Sequence, residues 1–600
     1  MRRALKRTRD TLGDFTRDVR IILLSAMAIV IGALSAFVAT GLVWLINLMT
    51  NLAFYQQFTS TFSSPANHHL GVLVIAVPVI GGLVVGVIAR FGSEKIRGHG
   101  IPEALEAILF GRSRMELKVA LLKPLSSAIS IGTGGPFGAE GPIILTCGAF
   151  GSLFAQLFHL SSAERKTILV AGAAAGMSAI FATPIAAVLL AVELLLFEWK
   201  PRSFIPVAVA AAVAGSLRVY LLGQGPIFLI SSHPPMGSEG LVAALVAGII
   251  AGLGSSALTR LVYAFEDMFT ALPIHWMWWP ALGGLGVGIG GLIDPRIFGV
   301  GYDVIHALLQ GEVIGTALMG LLIGKALIWS FALGSGTSGG VLAPLLMIGG
   351  ALGALEAPWF PGGDTGLWAL ISMAAVMGGT MRSPLTAIVF ALELTHDVNV
   401  LPGLLVSCIA AHAVTVLLMR RSILTEKVAR RGYHVVREYS VDPLDILRVG
   451  DVMDTQVQSI PPTMKLAELS DRIARGDPDV TRHNGIPIID DGGNLAGIIT
   501  RGDVMRGLDL NGEVNVIDAG VRDPLVTYPD EILHAAVEKM LTYDVGRLPV
   551  VDRKHPQTVV GYLGRPAILA SRLHRIHEEH VREPGWLGRS SRHARPKKVE

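Results

Sequence analysis

Long apolar stretches are the feature that most restricts the fold of this chain. Runs such as Ile21–Met49, Gly71–Phe91 and Leu241–Leu253 are long and apolar enough to form membrane helices. A mean hydropathy of +0.54 and a hydrophobic content of 51% are too high for a soluble protein of 600 residues. The chain is therefore predicted to be an α-helical multi-pass membrane protein in a lipid bilayer.

Basic residues flank the apolar part at both ends, and they predict its orientation. By the positive-inside rule, both termini are expected in the cytoplasm, so the number of full crossings is expected to be even. The first apolar run is too long for a signal peptide and is predicted to be a retained helix of a protein of the cell inner membrane. The basic residues are Arg2, Arg3, Lys6, Arg7, Arg9, Arg17 and Arg20 at one end, and Arg420, Arg421, Lys427, Arg430 and Arg431 at the other.

The apolar part contains an internal repeat. The stretch Thr183–Leu194 (TPIAAVLLAVEL) matches Ser383–Leu394 (SPLTAIVFALEL) 200 positions later (383 − 183). Lys123 matches Lys325 at a distance of 202 positions (325 − 123). The repeats are predicted to span about 20–205 and 240–425, and their Gly- and Pro-broken segments are typical of transporters with a central site. If the repeats are inverted, helix N-termini from both halves can meet and attract an anion without any arginine.

The Gly-rich stretch Gly132–Ile143 contains one carboxylate, Glu140, directly before a Gly-Pro pair. Glycine permits close backbone approach and proline suits the first turn of a helix, so a helix is predicted to start here. The equivalent position in the second repeat is Leu342, whereas a purely structural cap would be expected in both halves. We therefore expect the Glu140 charge to act in an anion pathway, with simple helix capping as the alternative.

Three separated motifs resemble those of the CLC family of chloride channels and chloride/proton exchangers. Gly98-His-Gly-Ile-Pro102 resembles the family's GSGIP, Gly138-Ala-Glu-Gly-Pro142 its G(K/R)EGP, and Gly340-Val-Leu-Ala-Pro344 its GxFxP. The resemblance covers about residues 20–432. It implies a CLC-like fold of broken and re-entrant helices, and a homodimer in which each subunit has its own pathway for chloride or a similar small anion.

The resemblance also implies roles for individual residues. Glu140 takes the place of the gating glutamate, whose carboxylate competes with the anion. Its protonation would release it, so transport is expected to rise as external pH falls. The residues aligned with the anion site are His99, Gly100, Ile101, Pro102, Gly138, Gly141, Gly340, Val341, Leu342 and Leu424.

Several positions depart from the family pattern. His99 replaces the serine that coordinates chloride, Leu424 replaces a tyrosine, and Leu194 replaces the proton-relaying glutamate of exchangers. Channel-like or weakly proton-coupled transport is therefore the leading hypothesis. A chloride/proton antiporter with another proton route, through water or Glu193, is the alternative. Glu193 matches Glu393 in the repeat, which suggests a shared structural role, and His99 is either a pH-sensitive group or a neutral donor.

The C-terminal part resembles a pair of CBS domains, predicted at 446–508 and 516–578, and is expected to be an α/β cytosolic domain. In CBS pairs that bind adenosine compounds, a Thr or Ser and an Asp three residues later contact the ligand. Thr500 and Asp503 keep this spacing, whereas the second copy has Gly564 and Ala567. An adenine nucleotide is therefore a candidate ligand, and a purely structural dimerisation module is the alternative. The basic segments 1–20 and 583–600 are predicted to be a cytosolic N-terminus and a disordered tail.

Other protein classes fit the sequence less well. A CBS-containing magnesium transporter would need acidic residues along its membrane pathway. A membrane metalloprotease needs two histidines at helical spacing with a glutamate between them, and His577-Glu-Glu-His580 has the wrong spacing. Cys147 and Cys408 lie in apolar segments, and a net charge of +3 is too small to indicate nucleic acid binding. No enzymatic activity, metal site or required cofactor is expected.

Overall fold

The computed structural model describes residues 19–433 except 229 and 231, residue 444, residues 447–508 except 482 and 483, and residues 514–570. The described chain forms two compact units, one up to Gly432 and one from Tyr433 onward. We call them the membrane unit and the C-terminal unit. The predicted N-terminal segment 1–20 lies almost wholly outside the described residues, and the predicted tail 583–600 lies wholly outside them.

The described part of the membrane unit contains seventeen α-helices, arranged as two series of eight and one last short helix. The first series is α1 (Arg20–Thr50), α2 (Ala76–Phe91), α3 (Ile101–Leu109), α4 (Leu117–Gly132), α5 (Glu140–Gln156), α6 (Ser162–Phe181), α7 (Pro184–Leu190) and α8 (Pro201–Leu221). The second is α9 (Ser238–Thr270), α10 (Trp279–Ile293), α11 (Tyr302–Leu309), α12 (Thr316–Gly334), α13 (Leu342–Glu356), α14 (Thr365–Met381), α15 (Pro384–Thr395) and α16 (Leu401–Leu418), followed by α17 (Ile423–Arg430).

The two series confirm the duplication, with one change of boundary. Helix α8 continues through Pro206 to Leu221, so the first repeat extends beyond the predicted residue 205. Its counterpart α16 ends at Leu418. Within the described residues, eight helical segments are long and apolar enough to cross a membrane.

Matching local signals end the helices at the same places in both repeats. Helix α6 ends where Ala182 adopts φ 56°, and α14 ends where Arg382 adopts φ 56°. A residue with positive φ directly after a helix stops its hydrogen-bond ladder. Pro184 and Pro384 then start α7 and α15 at the position where a missing N–H costs least.

The two repeats pack on each other reciprocally. Gly82 of α2 lies against the carbonyl group of Pro280 in α10, and Gly284 of α10 lies against the carbonyl group of Pro78 in α2. A contact made in both directions between equivalent residues is the mark of a two-fold relationship. The absence of side chains at these glycines lets the two helix backbones cross closely. The repeats are therefore related by a pseudo-two-fold axis, which the sequence comparison could not show.

The C-terminal unit contains two similar α/β halves with one antiparallel strand pair each. Strand β1 (Gly485–Ile489) pairs with β2 (Leu495–Thr500), and β3 (Arg547–Val551) pairs with β4 (Val559–Gly564). The described helices of this unit include α18 (Val449–Val452), α19 (Leu466–Ala474), α20 (Pro478–Thr481), α21 (Arg501–Leu508), α22 (Val516–Ala519) and α23 (Leu533–Thr542).

The two halves exchange their first helices. Val449 of α18 packs in the core that contains Leu533 and Leu548, whereas Val516 of α22 packs in the core that contains Leu466. Backbone hydrogen bonds follow the same exchange, with Leu533 N donating to Leu447 O at 2.8 Å and Leu466 N donating to Val514 O at 2.9 Å. The predicted linear segments 446–508 and 516–578 therefore each contribute one helix to the other's core.

Candidate functional site

The two repeats meet at a pair of equivalent glycines. Gly138 N donates to Gly340 O at 3.2 Å, and Gly340 N donates to Gly138 O at 2.8 Å, which makes an antiparallel bridge. Residues that pair with their own repeat equivalents lie on the pseudo-two-fold axis. Helices α5 and α13 begin two residues further on, at Glu140 and Leu342. The N-termini of two helices from different repeats thus converge at this axis.

Glu140 is the first residue of α5, as predicted, but its side chain serves the other repeat. Its Oε1 accepts a hydrogen bond from the backbone N–H of Leu342. The backbone N–H groups of Val341 and Ala343, on either side of Leu342, add to the stabilisation of its negative charge. Its Oε2 has no hydrogen-bond partner among the described residues, and the residue has no exposed surface. The carboxylate therefore occupies the N-terminus of α13, where an anion would be attracted.

Two glycines make room for this carboxylate. A Cβ atom at Gly138 would overlap Glu140 Oε2, and one at Gly340 would overlap Glu140 Oε1. Neither glycine has a positive φ, so their role is steric rather than conformational. The sequence prediction placed both residues in the anion site. The structure brings both into direct contact with the gating candidate.

The start of α3 lies beside the same point. Gly98 and Gly100 adopt φ angles of 79° and 91°, and Gly339 N donates to Gly98 O at 3.4 Å. A Cβ atom at Gly141 would overlap the carbonyl oxygen of His99, so this loop and α5 are in tight contact. A third helix N-terminus, from Ile101, is thus added to the two that begin at Glu140 and Leu342.

The backbone donors of this loop are only partly available. Gly100 N already donates to Glu103 Oε2 at 3.0 Å, and Pro102 has no N–H. These two predicted site residues therefore shape the loop and offer no free donor in this conformation. His99 is 2% exposed, and its Nδ1 has no hydrogen-bond partner among the described residues. Its imidazole is the polar side chain that the 98–102 motif contributes.

The two repeated lysines support equivalent loops. Lys123 Nζ donates to the carbonyl oxygens of Ile96 and Gly98 at 2.9 and 2.7 Å. Lys325 Nζ donates to the carbonyl oxygens of Ile297 and Gly299 at 2.8 and 3.3 Å. Both lysines are fully buried. Each therefore fixes the loop that precedes a short helix, α3 or α11.

Leu424 lies in α17, which packs against α3 and α14. Its side chain is fully buried and offers no donor to an anion. Tyr263 Oη donates to Ile423 O at 2.5 Å and so fixes the start of α17. Tyr263 was not among the predicted residues, and nothing in its local sequence distinguishes it from other residues of α9.

Glu193 and Glu393 form a second reciprocal pair. Glu193 accepts from Leu385 N at 3.3 Å and from Thr386 N at 2.8 Å, both at the start of α15. Glu393 accepts from Ile185 N at 2.9 Å and from Ala186 N at 2.8 Å, at the start of α7. Each glutamate therefore caps a helix of the other repeat. This geometry supports the shared structural role inferred from the repeat, and Leu194 beside Glu193 is fully buried.

In the C-terminal unit, Thr500 and Asp503 contact each other. Thr500 N donates to Asp503 Oδ2 at 2.8 Å, and Asp503 N donates to Thr500 Oγ1 at 3.3 Å. This reciprocal pair is a capping box at the start of α21. Asp503 Oδ1 also accepts a hydrogen bond from Arg506. Both carboxylate oxygens of Asp503 therefore already have partners within the chain.

Together these features define a multi-pass membrane protein of two interlocked repeats, with a site for negative charge between them. Residues 80–416 match the family described as voltage gated chloride channel, and residues 449–509 and 516–573 each match the CBS domain family. The chain belongs to the CLC family and carries two CBS domains. The chloride channel ClcB of Escherichia coli O157:H7 is 30% identical over 417 residues, covering 68% of this chain and 99% of the relative, and ClcB of strain K12 / DH10B gives the same values.

Solved structures share the fold. A slow cyanobacterial Cl−/H+ antiporter matches with a TM-score of 0.62 at 23% identity, covering 69% of this chain and 99% of that chain. A eukaryotic CLC transporter matches with a TM-score of 0.60 at 18% identity, covering 91% of this chain and 98% of that chain. The CLC-like, broken-helix fold predicted from the motifs is thereby confirmed.

Proposed function

We propose that this protein conducts chloride or a similar small anion across a lipid bilayer through a CLC-type pathway gated by Glu140. The observation that carries the proposal is the position of the Glu140 carboxylate on the N-terminus of α13, between Gly138 and Gly340. Converging helix N-termini attract a negative charge, and here that charge is tethered to the chain. An anion that enters must compete with the carboxylate for the same N–H groups.

Protonation controls this competition. A deprotonated carboxylate is held by the N–H groups of α13, whereas a neutral carboxyl group is attracted less strongly. Protonation therefore favours departure of the side chain and entry of the anion. His99 and the backbone N–H groups around Glu140 and Leu342 are the donors available to that anion. No catalytic residue, metal ion or required cofactor is part of this mechanism.

We propose channel-like or weakly proton-coupled transport as the mode of action. Leu194 has no titratable group, and Glu193 is engaged at the start of α15. A direct relay of protons from Glu140 through these two positions is therefore not supported. The name of the ClcB relatives, a voltage-gated chloride channel, favours chloride as the anion. A chloride/proton antiporter with another proton route is the second candidate, favoured by the fold that the chain shares with Cl−/H+ antiporters.

Flux from liposomes that contain the purified protein tests the proposal. A chloride gradient is imposed, and the movement of chloride and of protons is recorded for the wild type, Glu140→Ala and the exposed control Glu312→Ala. We expect chloride efflux without sustained uphill proton movement, and an altered flux only in Glu140→Ala. Uphill proton movement that Glu140→Ala abolishes would establish the antiporter instead. Chloride flux that changes neither with Glu140→Ala nor with pH would contradict the gating role of Glu140.

We further propose a homodimer in the inner membrane, with both termini in the cytoplasm. The basic clusters at residues 2–20 and 420–431 support this orientation. Cysteine-labelling of a single introduced thiol at either terminus of the Cys147→Ser, Cys408→Ser protein, in intact and in opened cells, tests it. Labelling of intact cells by an impermeant reagent would contradict the orientation.

A further inference from the structure

Tyr302 is the second-repeat counterpart of Gly100 (302 − 100 = 202). Tyr302 is the first residue of α11, and Gly100 directly precedes α3. Gly301, with φ 77°, brings this turn against the methyl group of Met347 in α13. On the other side of the axis, Gly100 lies against Leu145 of α5, the repeat equivalent of Met347. The start of α11 thus faces α13 as the start of α3 faces α5. Tyr302 is thereby placed on the side of the Gly138–Gly340 pair opposite to His99.

The ring of Tyr302 is held by aromatic neighbours. Its centroid lies 6.2 Å from that of Phe181 and 6.3 Å from that of Phe228, with angles of 80° and 67° between the ring planes. Edge-to-face packing of this kind fixes the direction of the ring and therefore of its hydroxyl group. The hydroxyl oxygen is buried and has no hydrogen-bond partner among the described residues.

The Glu140 carboxylate lies against Gly138 and Gly340, the pair beside which Tyr302 is placed, and it interacts electrostatically with the Tyr302 hydroxyl. Its Oε2 is also buried without a partner in the described part of the chain. Burying a hydrogen-bond donor or acceptor without a partner costs desolvation free energy. A hydrogen bond between the Tyr302 hydroxyl and the Glu140 carboxyl group would remove this cost for both groups. In the present conformation the carboxylate is engaged by α13 through its other oxygen.

The ionisable groups next to Tyr302 have other partners. Lys325 Nζ donates to the carbonyl oxygens of Ile297 and Gly299. Asp303 Oδ2 accepts from Ser64 Oγ at 2.5 Å. Lys325 and Asp303 thus have hydrogen-bond partners other than the Tyr302 hydroxyl, which leaves this hydroxyl available to Glu140.

We propose that the Tyr302 hydroxyl donates a hydrogen bond to the Glu140 carboxyl group once that group has left the N-terminus of α13. Tyr302 then stabilises the open position of the gate, and Phe181 and Phe228 keep the hydroxyl in place. This inference rests on the proposed gating function of Glu140. It assigns Tyr302 as a positioning residue that acts on the gate and not on the anion itself.

A double-mutant cycle of anion flux tests the proposal. Tyr302→Phe keeps the ring and its two aromatic contacts but removes the hydroxyl. At one acidic pH, we expect Tyr302→Phe to lower chloride flux by up to about tenfold in the wild-type background, the effect of losing a hydrogen bond to the neutral carboxyl group. In the Glu140→Ala background, the same change should alter flux by less than about twofold, because the gate is gone. Tyr55→Phe is the matched control, since Tyr55 Oη donates to Ser64 O at 2.5 Å, within the segment that follows α1.

The outcomes separate this inference from the function on which it rests. An equal loss of flux in both backgrounds, or no loss in either, overturns the role of Tyr302. A flux that does not respond to Glu140→Ala overturns the gating function instead. Thermal unfolding of each variant checks folding, and Tyr302→Met, which also fills apolar space, replaces Tyr302→Phe if the latter does not fold.

Discussion

Glu140 and Leu342 occupy equivalent positions in the two repeats, 202 residues apart, and the carboxylate of the first accepts a hydrogen bond from the backbone N–H of the second. Equivalent residues contact each other only near the axis that relates the repeats. The site is therefore symmetric in its backbone and asymmetric in its charge. The side chain of Glu140 carries a charge to the helix start of the opposite repeat, whereas the side chain of Leu342 is apolar and only its backbone N–H takes part. We propose that this single charge at the axis lets one proton control access to both helix N-termini.

Gly340→Ala is expected to expel the Glu140 carboxylate. The new Cβ would overlap Glu140 Oε1 and would lie 2.7 Å from Gly138 O, so the flexible Glu140 side chain must leave and the backbone at Gly138 must shift by a few tenths of an ångström. We expect chloride flux at neutral pH to rise toward that of Glu140→Ala. Flux from liposomes, normalised to the amount of folded protein, measures this change.

Gly320→Ala is the matched control for Gly340→Ala. A Cβ at Gly320 in α12 meets nothing within 4 Å, so only helix propensity changes there. Its flux should equal that of the wild type. If Gly340→Ala folds, keeps the pH response of the wild type and shows no increase in flux, the carboxylate does not block the pathway from this position.

The pH response of flux should have a definite sign. Protonation neutralises the Glu140 carboxylate and weakens its attraction to the N–H groups of α13, so flux is expected to rise as the pH falls. Glu140→Gln should remove most of this dependence, because the amide does not titrate. His99→Ser tests the other titratable side chain of the site. A pH response that survives Glu140→Gln and disappears in His99→Ser would assign the response to the imidazole.

Glu193→Ala and Glu393→Ala should have similar effects, because each glutamate caps a helix of the other repeat. We expect each change to lower the free energy of unfolding by about 1 kcal/mol, the usual cost of a lost helix cap. The ratio of proton to chloride movement should stay the same in both. Thermal unfolding in detergent and paired flux measurements check the two statements. A change of this ratio in Glu193→Ala alone would assign Glu193 to a proton path.

Much of the site followed from the sequence because the repeat and the motifs are local signals. The helix start at Glu140 is set by the adjacent Gly141 and Pro142, and the structure has it at that residue. The pairing of Glu193 with the start of α15 was not predictable, since it joins residues separated by 192 positions. The presence of glutamate at this position in both repeats indicated a shared role for Glu193 and Glu393, but it did not indicate which helix each one caps.

Three further features were missed for physical reasons. The use of the Gly100 N–H by Glu103 depends on a rotamer that no motif specifies. Tyr302 lies outside the motifs, although comparison of position 100 with position 302 would have shown that the second repeat carries a hydroxyl where the first carries glycine. The exchange of α18 and α22 between the CBS domains depends on tertiary packing, which the local sequence of these two four-residue helices does not specify.

The last prediction concerns Asp503 in the first CBS domain. Its carboxylate caps α21 through Thr500 and contacts Arg506, so an adenine nucleotide would have to displace one of these partners to reach it. We expect Asp503→Ala to lower the free energy of unfolding of the C-terminal unit by about 1 kcal/mol even without nucleotide. AMP or ATP should raise the unfolding temperature of the wild type and have a smaller effect on Asp503→Ala, since a ligand that binds only the folded state stabilises it. Arg522→Ala, which removes an exposed ion pair with Asp518, is the control. If neither nucleotide raises the unfolding temperature of the wild type, the CBS pair has a structural role only. The loss of stability from the missing helix cap in Asp503→Ala should still be observed.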